Sequence, residues 1–479
     1  MRTISFCSWL RLTSMMVAAG IAAAIAAQSV RADEAVPVDV EVPQIQDPAP
    51  GQEKPADGHV HKMPAGPPPS VRDRLGSIWS RDRLTGNWGG LRNDLHDHGV
   101  DIGLRLTQYG QGVVSGGVDK NGEYGGTMDY RVNADLNKLA GSWKGLSLTM
   151  HARTRFGNDI GDDAGGLTLP NAGLLMPLPG DYDDTDVTGL LLNQMFPLYE
   201  GHLGFFAIGK IDVIDAVSLF FPSVVYGQEG FMNVNALVSA LPWFGAVNGL
   251  SLYGGWLATI NEEHQIGQSA ILVTGTENVA TTWDGVDDSF DEGVWIAAFH
   301  RFLYKLDDKP GYFMIFGGFS TRDQASNDPH DHIFIPGQGI VVTDEEKPWD
   351  IALYLSQVFW QAREDPSRKA TILIGGTAGP DDPQFAQYNY FTSVEAYGPM
   401  ASRPHDRMGV SGWYNWLSDD FEDLVSPVAD LRDQYGFELY YNFAINKWLH
   451  VTPDLQLIQN EWDGDNFAII PGVRVVTDF

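Results

Sequence analysis

Cysteine is nearly missing from this 479-residue chain: Cys7 is the only one. It falls in a stretch that reads as a secretory signal, so the exported chain is expected to have none. That excludes disulfides, cysteine nucleophiles and thiolate metal sites together. Long apolar runs are also missing. Beyond the signal, none approaches the ~18 residues of a membrane-crossing helix, which excludes a helical membrane bundle. Basic residues are scarce, with 31 Lys and Arg against 62 Asp and Glu, a formal net charge of −31. Nucleic acid, a polyanion bound through Lys and Arg, is therefore excluded as a partner.

The signal itself is short and basic at its start. Arg2 and Arg11 precede an apolar stretch from Leu12 to Ala27, and Val30-Arg31-Ala32 ends in a small residue. We place a signal peptide over residues 1–32, cleaved after Ala32. Losing Arg2, Arg11 and Arg31 leaves 28 basic against 62 acidic residues, a net of −34. Acidic loops of that kind serve solvation, with divalent bridging to phosphorylated lipid as the alternative. Residues 33–70 contain no aromatic side chain and carry Pro37, Pro43, Pro48, Pro50, Pro55 and Pro67-Pro68-Pro69. Proline cannot join a sheet ladder, so this reads as a disordered periplasmic tail. Contact with peptidoglycan or another periplasmic component is the partner such a tail could reach.

Residues 71–99 form a basic bridge followed by a short helix. Arg72, Arg74, Arg81 and Arg83 come first, then Trp88, Leu91 and Leu95 at helical spacing, with Gly99 as its cap. From Val100 the period changes to two. Val100, Ile102, Leu104 and Leu106 face one way, and Asp101, Gly103, Arg105 and Thr107 the other. Tyr130-Val132-Ala134-Leu136 and Leu146-Leu148-Met150-Ala152 repeat the pattern. At the far end Val473, Val475 and Phe479 share one parity while Gly472, Arg474 and Asp478 share the other. Further strands are expected to start near Leu203, Leu250, Val294, Tyr312, Trp349, Ala370, Tyr390, Met408, Phe437 and Leu449. Long acidic gaps alternate with tight turns such as Asn446-Lys447-Trp448. Trp143, Trp243, Phe244, Trp295, Tyr312, Trp349, Trp360, Trp413, Trp416 and Trp448 lie near strand ends, as in interfacial aromatic girdles.

One apolar and one polar face per strand, repeated over residues 100–479, predicts an all-β fold: a transmembrane antiparallel β-barrel. At about 23 to 25 residues per strand and connection the length gives 16 strands, with 18 as the alternative. A barrel of that size encloses an aqueous channel.

Three stretches resemble the carbohydrate-selective porins of the OprB family. They are Leu84-Thr-Gly-Asn-Trp-Gly-Gly-Leu-Arg92 with Gly99-Val-Asp-Ile102; Gly209-Lys-Ile-Asp212 with Phe220-Phe-Pro222 and Phe231-Met-Asn-Val-Asn235; and Tyr435–Tyr441 with Thr452–Gln456 and Pro471-Gly-Val-Arg474. The resemblance implies a 16-stranded passive channel for mono- and small oligosaccharides in a Gram-negative outer membrane. It implies a monomer, with a trimer as the alternative, and outer-membrane lipid and lipopolysaccharide as surroundings.

A pore preferring neutral, hydroxyl-rich solutes needs charged groups to hydrogen-bond hydroxyls and aromatics to stack sugar rings, both weakly. On parity, Arg105, Arg131, Asp135, Arg153 and Arg155 face the lumen from early strands, and Glu438, Tyr440, Asp454, Gln456 and Arg474 from late ones. Arg153 and Arg155 are the first candidates for the constriction, because planar guanidinium donates to two hydroxyls at once. Lys210 and Asp212 enter through the family element Gly-Lys-Ile-Asp. No catalytic residue, cofactor or metal site is expected. Asp284–Glu292 has the composition of a calcium loop, which keeps loop-bound calcium as the alternative, without the spacing of an EF-hand. His59/His61, His96/His98 and His330/His332 lack a third zinc ligand. Asp183-Asp184 and Asp381-Asp382 are sequence neighbours, which does not make a glycosidase pair facing across a cleft. The rival readings are a general or other small-solute porin and, from another class, a secreted β-rich carbohydrate-active enzyme or lectin.

Overall fold

The structure, a computed structural model, describes residues 77–174, 185–198, 203–220, 229–236, 251–260, 266–279, 285–336, 339–464 and 466–479. The signal peptide, the proline-rich tail, His59/His61, Asp183-Asp184 and Trp243-Phe244 lie outside the described residues.

Alternation drives the architecture. Along Trp349–Gln361, Asp350, Ala352, Tyr354, Ser356 and Val358 are buried, while Ile351, Leu353, Leu355 and Phe359 are exposed. A strand with opposite chemistry on its two faces needs water or protein on one side and lipid on the other. Curling the sheet until its edges meet satisfies every backbone group at once. Sixteen strands do so here, joined to sequence neighbours in one closed antiparallel barrel.

The first five barrel strands are β1 (Val100–Gly112), β2 (Gly122–Asp135), β3 (Leu146–Gly157), β4 (Thr185–Pro197) and β5 (Leu203–Asp212). Closure runs between β1 and the last strand, Ala468–Asp478, with Arg105 opposite Asp478 and Gln111 opposite Gly472. Two small two-stranded sheets, Gln324–Ala325 with Glu345–Glu346 and His332–Ile335 with Gly339–Val342, decorate the loop after Lys309–Ser320.

Before the barrel, a helix spans Leu91–Asp97 and ends at Gly99, whose φ of +89° suits a residue without a side chain. Arg92 stacks on Trp88 at 4.0 Å and donates to the main-chain oxygen of Phe479 at 2.6 Å. The approach to the barrel is thereby tied to its closing strand.

The aromatic girdle needs correction at several positions. Trp360 and Trp416 are exposed on the outer surface. Tyr312 and Trp413 instead point inward and are buried. Trp448 is buried at a tight turn, donating its indole N–H to the Ile78 carbonyl at 2.8 Å. A tryptophan near a strand end shares the parity of that end, and parity rather than depth decides whether it meets lipid.

Candidate pore lining and constriction

Three kinds of surface line the barrel. The first is a charge cluster on β2 to β5. Parity brings Asp129 from β2 and His151 and Arg153 from β3 to the inner face, all nearly fully buried. Arg153 Nε donates to Asp129 at 2.7 Å and its terminal nitrogen to Asp212 at 3.3 Å. Asp212 ends β5 and caps the helix Val213–Phe220, accepting from the main-chain N–H of Ile214 and Asp215. That helix sends Asp215 back to His151 at 2.6 Å and to Arg131 at 3.1 Å. His151 turns one ring nitrogen to Asp129 and the other to Asp215. The ring thus bridges two carboxylates, with Arg153 also within 3.4 Å of Nε2. Three acids, Asp129, Asp212 and Asp215, face Arg131, Arg153 and His151.

Asp215 is held well below the usual carboxylate range: burial pushes it up, but His151 and Arg131 outweigh burial. His151, Asp212 and Asp215 could by geometry hold a metal ion. Their positive partners here are arginine side chains, which occupy the role a cation would play. Exposure grades the cluster. The side chains of Arg153 and Asp129 are 1% exposed, those of Arg131 and Asp215 31% and 37%. The Arg131–Asp215 edge is the more open part of the cluster, and Arg153 lies behind it.

The second surface is the wall made by the last strands together with β1. It holds two inserted loop segments, one running through residues 160–174 and the other through 229–236. The segments bond to each other, Ala172 N–H to the Met232 carbonyl at 2.7 Å and Val234 N–H to the Leu169 carbonyl at 3.2 Å. Glu438 accepts from the consecutive N–H groups of Met232 and Asn233. Arg474 donates to the Gly230 carbonyl at 2.8 Å, and Ser411 to that of Ala236 at 3.3 Å. The Asn233 amide donates to the Thr168 carbonyl at 2.9 Å and to Gln456 at 3.0 Å, and Gln456 donates to the Pro170 carbonyl at 2.8 Å. Phe231 packs edge-on against Tyr440 at 4.9 Å between ring centres.

Glu229 binds the same wall electrostatically, 3.4 Å from Arg105 and 3.7 Å from Arg407. Burial would raise its pKa, but Arg407 and then Arg105 outweigh that and hold it at about 2. Arg105 also forms a two-nitrogen fork on Asp478.

The third surface is aromatic. Trp256, Phe299, Tyr312, Phe316, Tyr354 and Phe391 turn inward on the middle strands and are buried. Arg301 lies among them, its guanidinium 4.6 Å from the centre of the Tyr312 ring.

The expected residues thus divide. Arg131 forms the cluster's open edge together with Asp215, which the sequence did not single out, and Arg105, Arg153, Asp212, Glu438 and Arg474 are committed to ion pairs or loop backbone. Arg155 is buried, with Asp159 at 3.0 Å. Lys210 is buried on β5, with Asp186 as a charged neighbour. Asp135 departs from the expected lumen role: its carboxylate caps the turn helix Leu136–Ala140, accepting from the N–H groups of Asn137 and Lys138. A carboxylate at a strand end finds orphan amides closer than it finds the pore.

Sequence reasoning missed Asp129 and Arg301, although extending the alternation through Gly122–Asp135 and Val294–Leu306 would have found both. Asn233 carried no such signal. Asp287, Asp288, Asp291 and Glu292, of the calcium-like loop, are all exposed. His96 and His98 point apart, to Asp101 and to the Asp94 carbonyl, as do His330 and His332, to Asp328 and to the Ser326 carbonyl. Asp381 and Asp382 fasten loops through the N–H groups of Asp419 and Asn327.

Comparison with known proteins adds the following. Residues 248–479 match the model of the family described as carbohydrate-selective porin, OprB family. Porin B of Pseudomonas aeruginosa is 22% identical over 449 residues, covering 83% of this chain and 91% of that protein. A structure of Pseudomonas putida OprB at high pH superimposes with a TM-score of 0.68 at 18% identity, covering 84% of this chain and all of that one. At that identity the likeness speaks for the fold, a closed β-barrel.

Proposed function

We propose that this chain, whose residues 248–479 match the carbohydrate-selective porin family, is a passive channel for mono- and small oligosaccharides in a Gram-negative outer membrane. The observation that carries this reading is the closed sixteen-stranded barrel whose inner face is charged and aromatic while its outer face is greasy. Lipid tolerates such an exterior, and a polar interior gives hydrated solutes a path.

Selectivity follows from how the lining is partnered. Balanced ion pairs leave little net field to attract ions, yet they keep donors and acceptors at fixed positions. A neutral polyol can exchange water hydrogen bonds for these one at a time. Arg131 and Asp215 offer that exchange at the cluster edge, while the buried inward aromatics pack behind the lining. Arg105, Arg153, Arg155, Lys210, Asp212, Glu438 and Arg474 shape the channel from behind. The inserted segments narrow it, so size selection and chemical selection act at one level. Diffusion down a gradient needs neither energy source nor cofactor, and the chain acts as a transporter rather than as an enzyme.

The remaining readings belong to the same proposal. Residues 1–32 direct export, residues 33–70 extend into the periplasm toward the cell wall, the outer wall meets lipid and lipopolysaccharide, and the barrel works as a monomer. Liposome swelling with sugars and size-matched amino acids tests the central claim. Sugars should enter faster at equal size. Equal rates would leave a general porin, and no swelling at all would remove the channel.

A further inference from the structure

Strand parity leaves a hollow in the outer wall of the barrel, near its long-loop end. Four neighbouring strands bound it: Trp349–Gln361, Lys369–Ala378, Ala386–Tyr397 and Arg407–Leu417. A methyl group built on Gly375 would strike the rings of Phe391 and Tyr354, so Gly375 faces the interior. Gly376 therefore faces outward, and Ala378 shares its parity. Their register partners are large. Leu353 stands opposite Gly376, and Ile351, Ala378, Tyr388 and Trp416 form one row across all four strands. Ile351, Leu353, Tyr388 and Trp416 are all exposed. Two small residues between tall walls leave an open groove of about 470 Å³, lined by apolar atoms. Tyr388 and Trp416 pack edge to face, 6.5 Å between ring centres, and keep one wall upright.

Depth identifies what surrounds the groove. The chain enters the barrel at Val100 and leaves it at Asp478, on the side of the tight turns. Ala378 ends its strand, and Trp349 follows the long connection 321–348, so the groove lies at the opposite end. The long loops of an outer-membrane barrel face outside. The groove therefore continues the lipid-facing wall into the outer leaflet. A second apolar element belongs to the same sector. The connection 321–348 carries the hairpin of His332–Ile335 with Gly339–Val342. Its base is fastened to the loop after Ala378: the Asn327 N–H donates to Asp382 at 2.6 Å, and the Asn327 amide to the Gln384 carbonyl at 3.2 Å. Phe334 stands opposite Ile340, and they are 71% and 70% exposed. Ile333 and Ile335 are exposed on the other face. A two-stranded hairpin is marginal in water, and exposed apolar side chains on both its faces mark a surface that meets lipid or a partner.

We propose that this groove and hairpin form a seat for one lipid A molecule of the outer leaflet. One acyl chain lies along Gly376 and Ala378, between Leu353 and Tyr388. Phe334 and Ile340 dip into the same acyl layer beside it. The loops above carry Asp381, Asp382, Asp419 and Asp420, so the lipid phosphates arrive with a divalent counter-ion. This inference rests on the outer-membrane reading and deepens it by naming the lipid and the strands that hold it.

The test is native mass spectrometry of the full exported chain in detergent with magnesium present. The probes are hexa-acylated lipid A and palmitoyl-oleoyl phosphatidylethanolamine. The parent should retain a single lipid A and bind it about ten-fold more tightly than the phospholipid. Ala378→Leu fills the groove from the outer face and should weaken lipid A binding about ten-fold, with sugar flux and the heat-resistant band on gels unchanged. Gly376→Leu should act alike. Phe334→Ser combined with Ile340→Ser should weaken binding about three-fold. Parent-like lipid A binding in both groove variants would overturn the seat and leave the channel standing, as would equal affinity for the two lipids. Loss of a chain–chain complex rather than of lipid in those variants would make the groove an interface between copies, which also overturns the seat. A parent chain that stays dispersed without detergent would remove the outer-membrane reading and the seat together.

Discussion

The walls on the two sides of the barrel closure bury polar side chains for opposite reasons. On β2 to β5, acids and bases neutralise one another, so each charge is balanced by its neighbours in the wall. On the last strands, side chains complete the backbone hydrogen bonds of loops brought in from elsewhere. Glu438 reaches amides about two hundred positions earlier in the chain, at Met232 and Asn233. Arg153, by contrast, is held by Asp129 on the adjacent β2 and by Asp212 on β5, two strands away on the other side. The first wall sets its own shape, and the second sets the shape of the passage. Burial alone, equally deep for Arg153 and Glu438, does not separate a strut from a latch.

Removing one residue from each wall should expose that difference. Arg153→Ala leaves Asp129 and Asp212 buried beside a lost guanidinium. A broken buried ion pair costs about 3–5 kcal/mol. Urea titration in detergent should show the loss directly, and parent-like stability would remove the strut role. Glu438→Ala should act on the loop rather than the barrel. Losing a carboxylate that accepts two amides costs about 2–4 kcal/mol locally. Single-channel conductance should rise about two-fold and larger oligosaccharides should pass, while the heat-resistant barrel band on gels persists. An unchanged conductance would mean that the inserted segments hold without it.

Smaller effects are expected away from both walls. Asp135→Ala removes a cap from the turn helix Leu136–Ala140 and should lower stability by about 1 kcal/mol with sugar flux intact. A change in flux there would restore Asp135 to the lining. Outside the barrel, His330 is fully exposed and sits 2.7 Å from Asp328. The hydrogen bond to Asp328, then its charge, raises the His330 pKa, and the bonds from His330 lower that of Asp328. A raised histidine helps the fold below its ordinary pKa and loses that help as pH rises through the raised value. A lowered aspartate helps above its ordinary pKa and loses that help as pH falls through the lowered one. The pair is therefore strongest between those limits. NMR titration should find His330 above the usual histidine range and Asp328→Asn should return it there, with little change in conductance.

Much of this was legible in the chain. Asp101, Arg105 and Thr107 against Ile102, Leu104 and Leu106 announced a strand with two chemistries, and the length of the alternating region pointed to sixteen such strands with eighteen as the alternative. The inward position of Arg153 followed from parity. Its partners did not, because Asp212 and Asp215 arrive from another strand and from a helix at its end. The same blindness made Glu438 look like a sugar contact. A carboxylate facing a lumen has one appearance in sequence whether it meets solute or the amides of Met232 and Asn233.

The sequence by itself determined the two-residue rhythm, and with it the barrel and much of the inward set of charges, because face alternation is a local property of extended chain. Tertiary structure alone decided which of those charges are spent on one another, which hold loops, and which remain open to solute. Those outcomes depend on contacts between residues far apart in sequence, and a pattern of period two holds no information about who stands across the lumen.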